Sequence, residues 1–183
     1  MRMREEKKRL RAAVRKRRAL MSEKEKYDAS KRLTQRILDV CRSYEAVALY
    51  YSVANEPSTH EAINLLYSQG KRVLLPHMTQ MLPPQWAWFE GSDSLVSTHG
   101  GVHYPEGTPM QLPDVSVDIM IVPALLVNEK GVRLGQGGGW YDRSLARLTS
   151  HIPIYACVYE QEYIQEDIPM DVFDKRVDGV LCV

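Results

Sequence analysis

The sequence predicts an α/β fold with a mainly parallel sheet that is covered on both faces. Short apolar segments of strand type alternate with helical segments, and turn or capping residues mark most of the changes. The strand predicted at residues 117–123 is largely apolar and precedes a glycine-rich turn and another helix. Buried strands that alternate with helices are typical of parallel sheets. The 183 residues, 44% of them hydrophobic, suffice for one core, so we expect a single domain over residues 1–183.

Two helices are expected before the first strand. At about residues 3–21, Leu10 and Val14 fall near helical spacing in a basic background, which predicts an amphipathic helix. Ser22 and Glu25 then have the spacing of a capping box, in which both side chains satisfy backbone N–H groups at the start of a second helix.

The remaining elements follow from the same signals. Residues 46–51 are rich in strand formers, and a helix with Ser58 at its start is expected before the next strand. Alternation at residues 85–90 predicts an edge or antiparallel strand in a region rich in proline and glycine. The predicted elements after residue 46 are strands at 46–51, 72–76, 85–90, 117–123, 154–159 and 179–183, and helices at 58–69 and 141–148.

Composition excludes several classes of site. The three cysteines show no CxxC spacing and the five histidines show no zinc-binding pattern, so we expect neither a disulfide framework nor a zinc site. No apolar run resembles a signal peptide or a membrane span, so we expect a cytoplasmic protein with no membrane partner. Residues 2–18 carry a net charge of +8 and the remainder −7. That basic segment is either a solvated helix face or an anion-binding arm.

The glycine-rich turn at residues 133–142 is the strongest functional signal. It follows a buried strand and opens a helix, so its glycines and the helix start can direct backbone N–H groups at an anion. Arg133 adds a positive charge, and Asp142 offers a carboxylate that could hold a magnesium ion on a phosphate. The turn lacks the GK[ST] sequence of a Walker A motif. Glycine clusters also form plain tight turns, and this alternative stays open.

The same turn resembles the hallmark of the 5-formyltetrahydrofolate cyclo-ligase family, a G-x-R-L-G-x-G-x-G-[YW]-Y-D run after an apolar strand that ends in proline. Here residues 131–142 read GVRLGQGGGWYD after Pro123. Three weaker features lie in the order that the family shows, namely KKRLR at residues 7–11, YYSVANE at residues 50–56 and DKRVD at residues 174–178. Residues 99–109 do not align with the family's central folate-contacting segment.

The resemblance implies a three-layer α/β/α fold similar to sugar-phosphate isomerases and CoA transferases. It also implies an enzyme that uses ATP and Mg²⁺ to convert 5-formyltetrahydrofolate to 5,10-methenyltetrahydrofolate, with release of ADP and phosphate. In that chemistry the formyl oxygen is phosphorylated first, because it is otherwise a poor leaving group. The implied partners are the two small-molecule substrates, with no nucleic acid, and the expected state is a monomer.

The resemblance also implies roles for individual residues. Arg133 and Tyr141 are the implied catalytic residues, Tyr51 and Glu56 the folate-binding residues, and Asp142 and Asp174 the magnesium ligands. The implied ATP-binding residues are Lys7, Arg11, Arg133, Leu134, Gly135, Gln136, Gly137, Gly138, Gly139, Trp140 and Tyr141. We further hypothesise that residues 15–18 lie near a polyglutamate tail of the folate.

Other interpretations of these residues remain open from sequence alone. Lys7 and Arg11 are also compatible with surface charges, Tyr51 with the end of a core strand, Glu56 with a loop charge and Asp174 with a turn residue. A related α/β enzyme with another substrate would share the glycine turn. A non-catalytic module that binds nucleic acid through its basic helix is a third possibility, although the acidic remainder and the lack of a nucleic-acid motif oppose it.

Overall fold

The computed structural model describes residues 2–77, 83–98 and 101–183. Four α-helices lie in these ranges, α1 (Arg2–Leu20), α2 (Glu23–Val40), α3 (His60–Ser68) and α4 (Trp140–Leu145). The strands of the same ranges are β1 (Ala46–Leu49), β2 (Arg72–His77), β3 (Gln85–Trp88), β4 (Leu95–Ser97), β5 (His103–Pro105), β6 (Ile119–Pro123), β7 (Leu126–Asn128), β8 (Arg133–Leu134), β9 (Ile154–Val158), β10 (Tyr163–Ile164) and β11 (Gly179–Cys182). None of the helices in the described ranges has the length and apolar character to cross a membrane.

The central sheet has the order β11-β9-β6-β1-β2-β3. All neighbouring strands are parallel except β3, which is antiparallel to β2 at one edge. The predicted α/β class, the parallel sheet and the antiparallel edge strand are therefore confirmed. After β1 the chain continues towards β2, whereas after β6 it continues towards β9 on the opposite side. Such a reversal leaves a crevice at the carboxyl ends of β1 and β6, where ligands of open α/β sheets bind.

Alternate residues of the buried strands supply two cores. Val47 and Leu49 of β1 join Leu33 and Ile37 of α2 on one face of the sheet, together with α3. Ala48 on the other face packs with residues of α4 and of the segment before β6. This alternation explains why β1 is apolar at every position, since both of its faces are covered.

A smaller three-stranded sheet with the order β10-β7-β8 carries α1. Val14 is buried with Leu126 and Leu134 of this sheet, and Leu10 packs against the same cluster. The sequence indicated the apolar stripe of α1, but the two- and three-residue strands beneath it are too short for a periodic signal. The β4–β5 hairpin was missed for the same reason.

The start of α2 confirms one predicted cap, whereas the start of α3 contradicts another. The Ser22 hydroxyl accepts from the Glu25 N–H at 3.2 Å, and the Glu25 carboxylate accepts from the Ser22 N–H at 2.7 Å. At α3 the N-cap is Thr59 and not Ser58, and its side chain makes no capping bond. The Thr59 hydroxyl instead donates to the Tyr50 carbonyl at 2.7 Å, so it ties the helix start to the end of β1.

Helix α4 is shorter than the predicted 141–148. It ends at Leu145, and Arg147 N–H and Leu148 N–H donate to carbonyls three residues back instead of four. The last turn therefore tightens and the helix stops. The Arg147 side chain also donates to the Leu112 carbonyl at 2.8 Å, which draws this segment towards the neighbouring loop.

A buried ion pair attaches α1 to the rest of the chain. Arg18 is 2% exposed and Glu162 0% exposed. The two side chains form a bidentate pair at 2.7 and 2.8 Å, and Arg18 Nη2 also donates to the Ala124 carbonyl at 2.7 Å. Glu162 in addition accepts from the Tyr159 N–H at 3.0 Å. Both charged groups of the pair are thus held by several hydrogen bonds, as buried charges require.

We expect Glu162→Ala to lower the free energy of unfolding by about 3–5 kcal/mol, because it leaves the Arg18 charge buried without its partner. Urea denaturation would measure the loss. Glu160→Ala is the matched control, since Glu160 is exposed two residues away, and it should change stability by no more than about 0.5 kcal/mol. Equal losses of unfolding free energy in the two variants would show that the Arg18–Glu162 pair stabilises the protein no more than an exposed glutamate does.

Candidate active site

A cavity of about 270 Å³ opens at the carboxyl ends of the central strands. Tyr50 and Tyr51, which follow β1, form one side of it, and Pro123 at the end of β6 forms the other. Pro76 of β2 also lines it. The cavity therefore lies in the crevice that the reversal of strand order creates.

The structure brings all of the sequence-predicted site residues to this one cavity. Those that line it are Lys7, Arg11, Tyr51, Glu56, Arg133, Leu134, Gly135, Gln136, Gly137, Gly138, Gly139, Trp140, Tyr141, Asp142 and Asp174. They come from the N-terminal helix, two central loops and the C-terminal tail, so their convergence is a result of the fold and not of sequence proximity.

Sequence reasoning missed other lining residues, which are Tyr50, Val53, Pro76, Val102, His103 and Pro123. Three of these could have been found, because Tyr50, Pro76 and Pro123 lie at or just after the carboxyl ends of predicted parallel strands. Val102 and His103 had no such signal. They lie in the part of the chain that did not align with the family, of which residues 99 and 100 are outside the described ranges.

The glycine-rich turn surrounds part of the cavity in a conformation that needs glycine. Gly137 has φ of 105° and Gly139 has φ of 65°, values that side chains disfavour. Arg11 Nε donates to the Gly135 carbonyl at 2.9 Å, and a side chain at Gly137 would meet the Arg11 guanidinium. The turn thus presents backbone towards the cavity while a cation from α1 closes over it.

Arg133 is a buried cation beneath the turn. Its Nη2 donates to Asp142 Oδ1 at 2.7 Å and its Nη1 to the Pro123 carbonyl at 3.3 Å. Its Nε is buried and finds no acceptor within the described residues. A buried guanidinium with one donor unpaired is suited to hold an anion in the cavity.

The two predicted metal ligands, Asp142 and Asp174, are each held by a cation. Asp142 Oδ1 accepts from Arg133 and from the Lys175 N–H at 3.2 Å. Asp174 Oδ2 accepts from Lys7 Nζ and from the Asp171 N–H at 2.7 Å. In the described part of the chain, these bonds reach only one oxygen of each carboxylate, which leaves the second oxygen of each for another ligand.

Whether these residues could bind Mg²⁺ depends on how many ligand atoms they offer. Within the described ranges, no group of three or more His, Cys, Asp or Glu residues could hold a metal ion. Mg²⁺ is commonly held by one or two carboxylates, with waters and substrate phosphates as its other ligands. Asp142 and Asp174 beside the glycine-rich turn therefore fit a magnesium ion that a bound phosphate would help to hold, and they do not fit a site made by protein alone.

The opposite side of the cavity carries the predicted folate residues. Tyr51 stacks on His60, with ring centroids 4.0 Å apart and an angle of 20° between the rings. Glu56 Oε2 accepts from the Val53 N–H at 3.1 Å, and Glu56 Oε1 accepts from Gln136 Nε2 at 3.2 Å. Burial raises the pKa of Glu56, although these hydrogen bonds and the charge of Arg18 oppose the shift. A half-buried carboxylate of this kind favours ligands that donate hydrogen bonds.

Aromatic side chains pack against one another near the turn, where Trp140 and Tyr141 line the cavity. Trp86 is fully buried and donates from Nε1 to Ser144 Oγ of α4 at 2.8 Å. Its ring lies 5.0 Å from that of Trp140, which contacts Tyr141 in turn. Burial raises the pKa of Tyr141 well above its ordinary value, so its hydroxyl stays protonated at neutral pH and can only donate or accept a hydrogen bond. Trp86 was not a site candidate from sequence, but it supports two residues that are.

The hypothesis of a polyglutamate path over residues 15–18 is wrong for Arg18. That side chain is buried, and its hydrogen bonds go to Glu162 and the Ala124 carbonyl. Arg15 and Lys16 are exposed, and Arg15 donates to Gln136 of the glycine-rich turn. The sequence could not distinguish these cations, because a basic helix shows its charge but not which of its arginines faces a buried carboxylate.

Known proteins share both the sequence pattern and the fold. The sequence profile of the 5-formyltetrahydrofolate cyclo-ligase family matches residues 3–183. The 5-formyltetrahydrofolate cyclo-ligase of Mycolicibacterium smegmatis is 33% identical over 147 residues, which are 76% of this chain and 74% of the relative. That of Haemophilus influenzae is 28% identical over 179 residues, or 94% of this chain and 95% of the relative.

Solved structures extend the likeness to the backbone. The NMR structure of Aquifex aeolicus 5,10-methenyltetrahydrofolate synthetase superposes with a TM-score of 0.82 at 24% identity, over 96% of this chain and 89% of that one. The Mycoplasma pneumoniae 5,10-methenyltetrahydrofolate synthetase has a TM-score of 0.76 at 21% identity, over 95% and 96%. These two show a shared fold. Because the family profile covers nearly the whole sequence, this chain belongs to the 5-formyltetrahydrofolate cyclo-ligase family.

Proposed function

We propose that this enzyme converts 5-formyltetrahydrofolate to 5,10-methenyltetrahydrofolate, with ATP as co-substrate and Mg²⁺ as cofactor and with release of ADP and phosphate. The observation that carries the proposal is that the predicted site residues share one cavity at the carboxyl ends of β1 and β6. A phosphate-type turn lies on its β6 side, and a half-buried carboxylate with a stacked tyrosine lies on its β1 side. Family membership and the names of the relatives support the same reaction.

The proposed reaction has two steps. The formyl oxygen attacks the γ-phosphorus of ATP, and the bond from that phosphorus to ADP breaks. The N10 nitrogen of the folate then attacks the formyl carbon, phosphate leaves with the former formyl oxygen, and N10 loses its proton. A poor leaving group is thereby converted into a good one, and the protein contributes positioning and charge neutralisation.

The residues of this chain supply those contributions. The glycine-turn N–H groups, Arg133, Lys7 and Arg11 would hold the phosphates, and among the described residues Arg133 Nε has no partner. The protonated Tyr141 hydroxyl would donate a hydrogen bond to charge that develops on oxygen. Asp142 and Asp174 would hold Mg²⁺, which neutralises phosphate charge when bound.

Glu56 and Tyr51 would hold the folate. The pterin ring offers N–H donors, and a half-buried carboxylate is an acceptor for them. Tyr51 offers a ring face whose orientation is already fixed by its stacking on His60.

A direct assay tests the whole proposal. Purified protein is mixed with 5-formyltetrahydrofolate, ATP and Mg²⁺, and the absorbance of the methenyl product is followed. We expect product only when ATP is present. Product formation that does not depend on ATP, or no product in the complete mixture, would overturn the proposed function.

We expect Asp142→Asn to lower kcat by about a hundredfold or more, because an amide oxygen can remain a ligand but cannot offset the charge of the metal ion. Asp174→Asn should behave similarly. Asp178→Asn is the matched control, since Asp178 Oδ2 accepts from the Ile154 N–H at 2.9 Å and an amide can still do so. Steady-state rates at several magnesium concentrations would show the difference, and near-normal kcat for Asp142→Asn would remove the metal assignment.

We also expect the KM for 5-formyltetrahydrofolate to rise as the pH falls through the pKa of Glu56. Burial raises that pKa above 4.5, so the carboxylate takes up its proton at a higher pH than an ordinary glutamate and then ceases to accept from the pterin. The KM should fall to a plateau on the alkaline side. Glu56→Gln should give a high KM without this pH dependence, and an unchanged profile in that variant would assign the titration to another group.

A further inference from the structure

Gln136 connects three parts of the cavity wall. Its Nε2 donates to Glu56 Oε1 at 3.2 Å, and its Oε1 accepts from Arg15 Nη2 at 2.9 Å and from Arg15 Nε at 3.2 Å. The glycine-rich turn, the loop after β1 and helix α1 thus meet at one amide. The two bonds from Arg15, which can only donate, fix the orientation of the amide and direct its NH₂ group at Glu56.

The backbone of the turn is held independently of this side chain. Arg15 Nη2 donates to the Gln136 carbonyl at 2.9 Å, and Arg11 Nε donates to the adjacent Gly135 carbonyl at 2.9 Å. The Gln136 side chain is exposed and unbranched at Cβ, so it can turn away while the backbone stays in place. Of the Gln136 contacts, the one to Glu56 is therefore the easiest to exchange.

Each oxygen of Glu56 already has a donor, Val53 N–H on Oε2 and Gln136 Nε2 on Oε1. The Val53 bond is local, three residues along the same loop. The Gln136 bond reaches in from the opposite wall of the cavity. A carboxylate oxygen can accept two hydrogen bonds, so a ligand can leave the Val53 bond in place. The Gln136 side chain, which lines the cavity beside Glu56, occupies space that a ligand approaching Oε1 would take.

We propose that Gln136 is a competitive cap on Glu56, and that its displacement couples the binding of nucleotide to the binding of folate. The inference rests on the proposed function, because it takes the turn as the phosphate site and Glu56 as the folate site. Phosphate oxygens at the turn are acceptors that attract both Arg15 and the Gln136 NH₂ group. Nucleotide thus draws the cap away from Glu56, and folate meets an uncovered carboxylate.

Two changes in folate affinity are expected, and each has a definite direction. Folate binds more tightly when nucleotide is present, by about tenfold, the equivalent of one hydrogen bond to a charged group. Removal of the Gln136 side chain tightens folate binding in the absence of nucleotide, because the competitor is gone. A side chain that merely stabilised the turn, or that contacted folate directly, would weaken binding when removed.

The test is calorimetric titration of 5-formyltetrahydrofolate monoglutamate into the protein, with and without Mg²⁺ and a non-hydrolysable ATP analogue. Wild type is compared with Gln136→Ala and with Gln136→Asn, whose amide is one methylene too short to reach Glu56. Gln111→Ala is the matched control, since Gln111 Oε1 accepts from Arg147 away from the cavity. Thermal unfolding of each variant verifies that the fold is retained.

We expect about tenfold coupling in wild type and in Gln111→Ala. In Gln136→Ala and Gln136→Asn we expect the coupling to vanish and folate alone to bind several-fold more tightly. If wild type binds both ligands without coupling, or if Gln136→Ala keeps the coupling, the inference is overturned while the proposed function stands. If wild type binds no 5-formyltetrahydrofolate under any condition, the proposed function fails, and the inference fails with it.

Discussion

The reversal of strand order between β1 and β6 is the constraint on which the rest of the molecule depends. The chain leaves β1 towards one edge of the sheet and leaves β6 towards the other, so no connection crosses the gap between their carboxyl ends. The loop after β1 brings Glu56 to one wall of this gap, and the connection after β6 brings the glycine-rich turn to the other. The two halves of the candidate site are therefore separate in sequence and face each other because of topology.

Helix α1 forms part of the cavity wall, and its positively charged side chains have different roles. Arg18 is structural, because it is buried against Glu162 and the Ala124 carbonyl. Lys7, Arg11 and Arg15 instead contact groups that line the cavity, and each does so from one side of the helix. The anchor at Arg18 thus sets the position from which the other three cations reach the turn. A net charge of +8 in residues 2–18 does not reveal this division, which only the packing of α1 on the small sheet determines.

Sequence predicted those parts of the molecule that depend on local chemistry. The central strands, the Ser22–Glu25 capping box and the antiparallel edge strand all have signals within a few residues of one another. The two incorrect predictions, at the start of α3 and the end of α4, involve contacts between residues that are distant in the sequence. At the start of α3 the Thr59 hydroxyl bonds the end of β1, and after α4 the Arg147 side chain donates to the Leu112 carbonyl. The family motif selected residues that converge on the cavity, but no local pattern indicated that Gln136 reaches Glu56.

The candidate site is built from groups that already satisfy one another. Lys7 pairs with Asp174, Arg133 with Asp142, and Gln136 links Arg15 to Glu56. Such pairing keeps charged side chains in place at low cost before any ligand binds, and it makes binding an exchange of partners. Under the proposed function, phosphates would compete for these cations, and under the proposed coupling the same competition at Gln136 would uncover Glu56. Because the Gln136–Glu56 hydrogen bond joins the two walls, an exchange at one wall would change what the other wall can bind, and this is the physical basis for expecting the two substrates to influence each other.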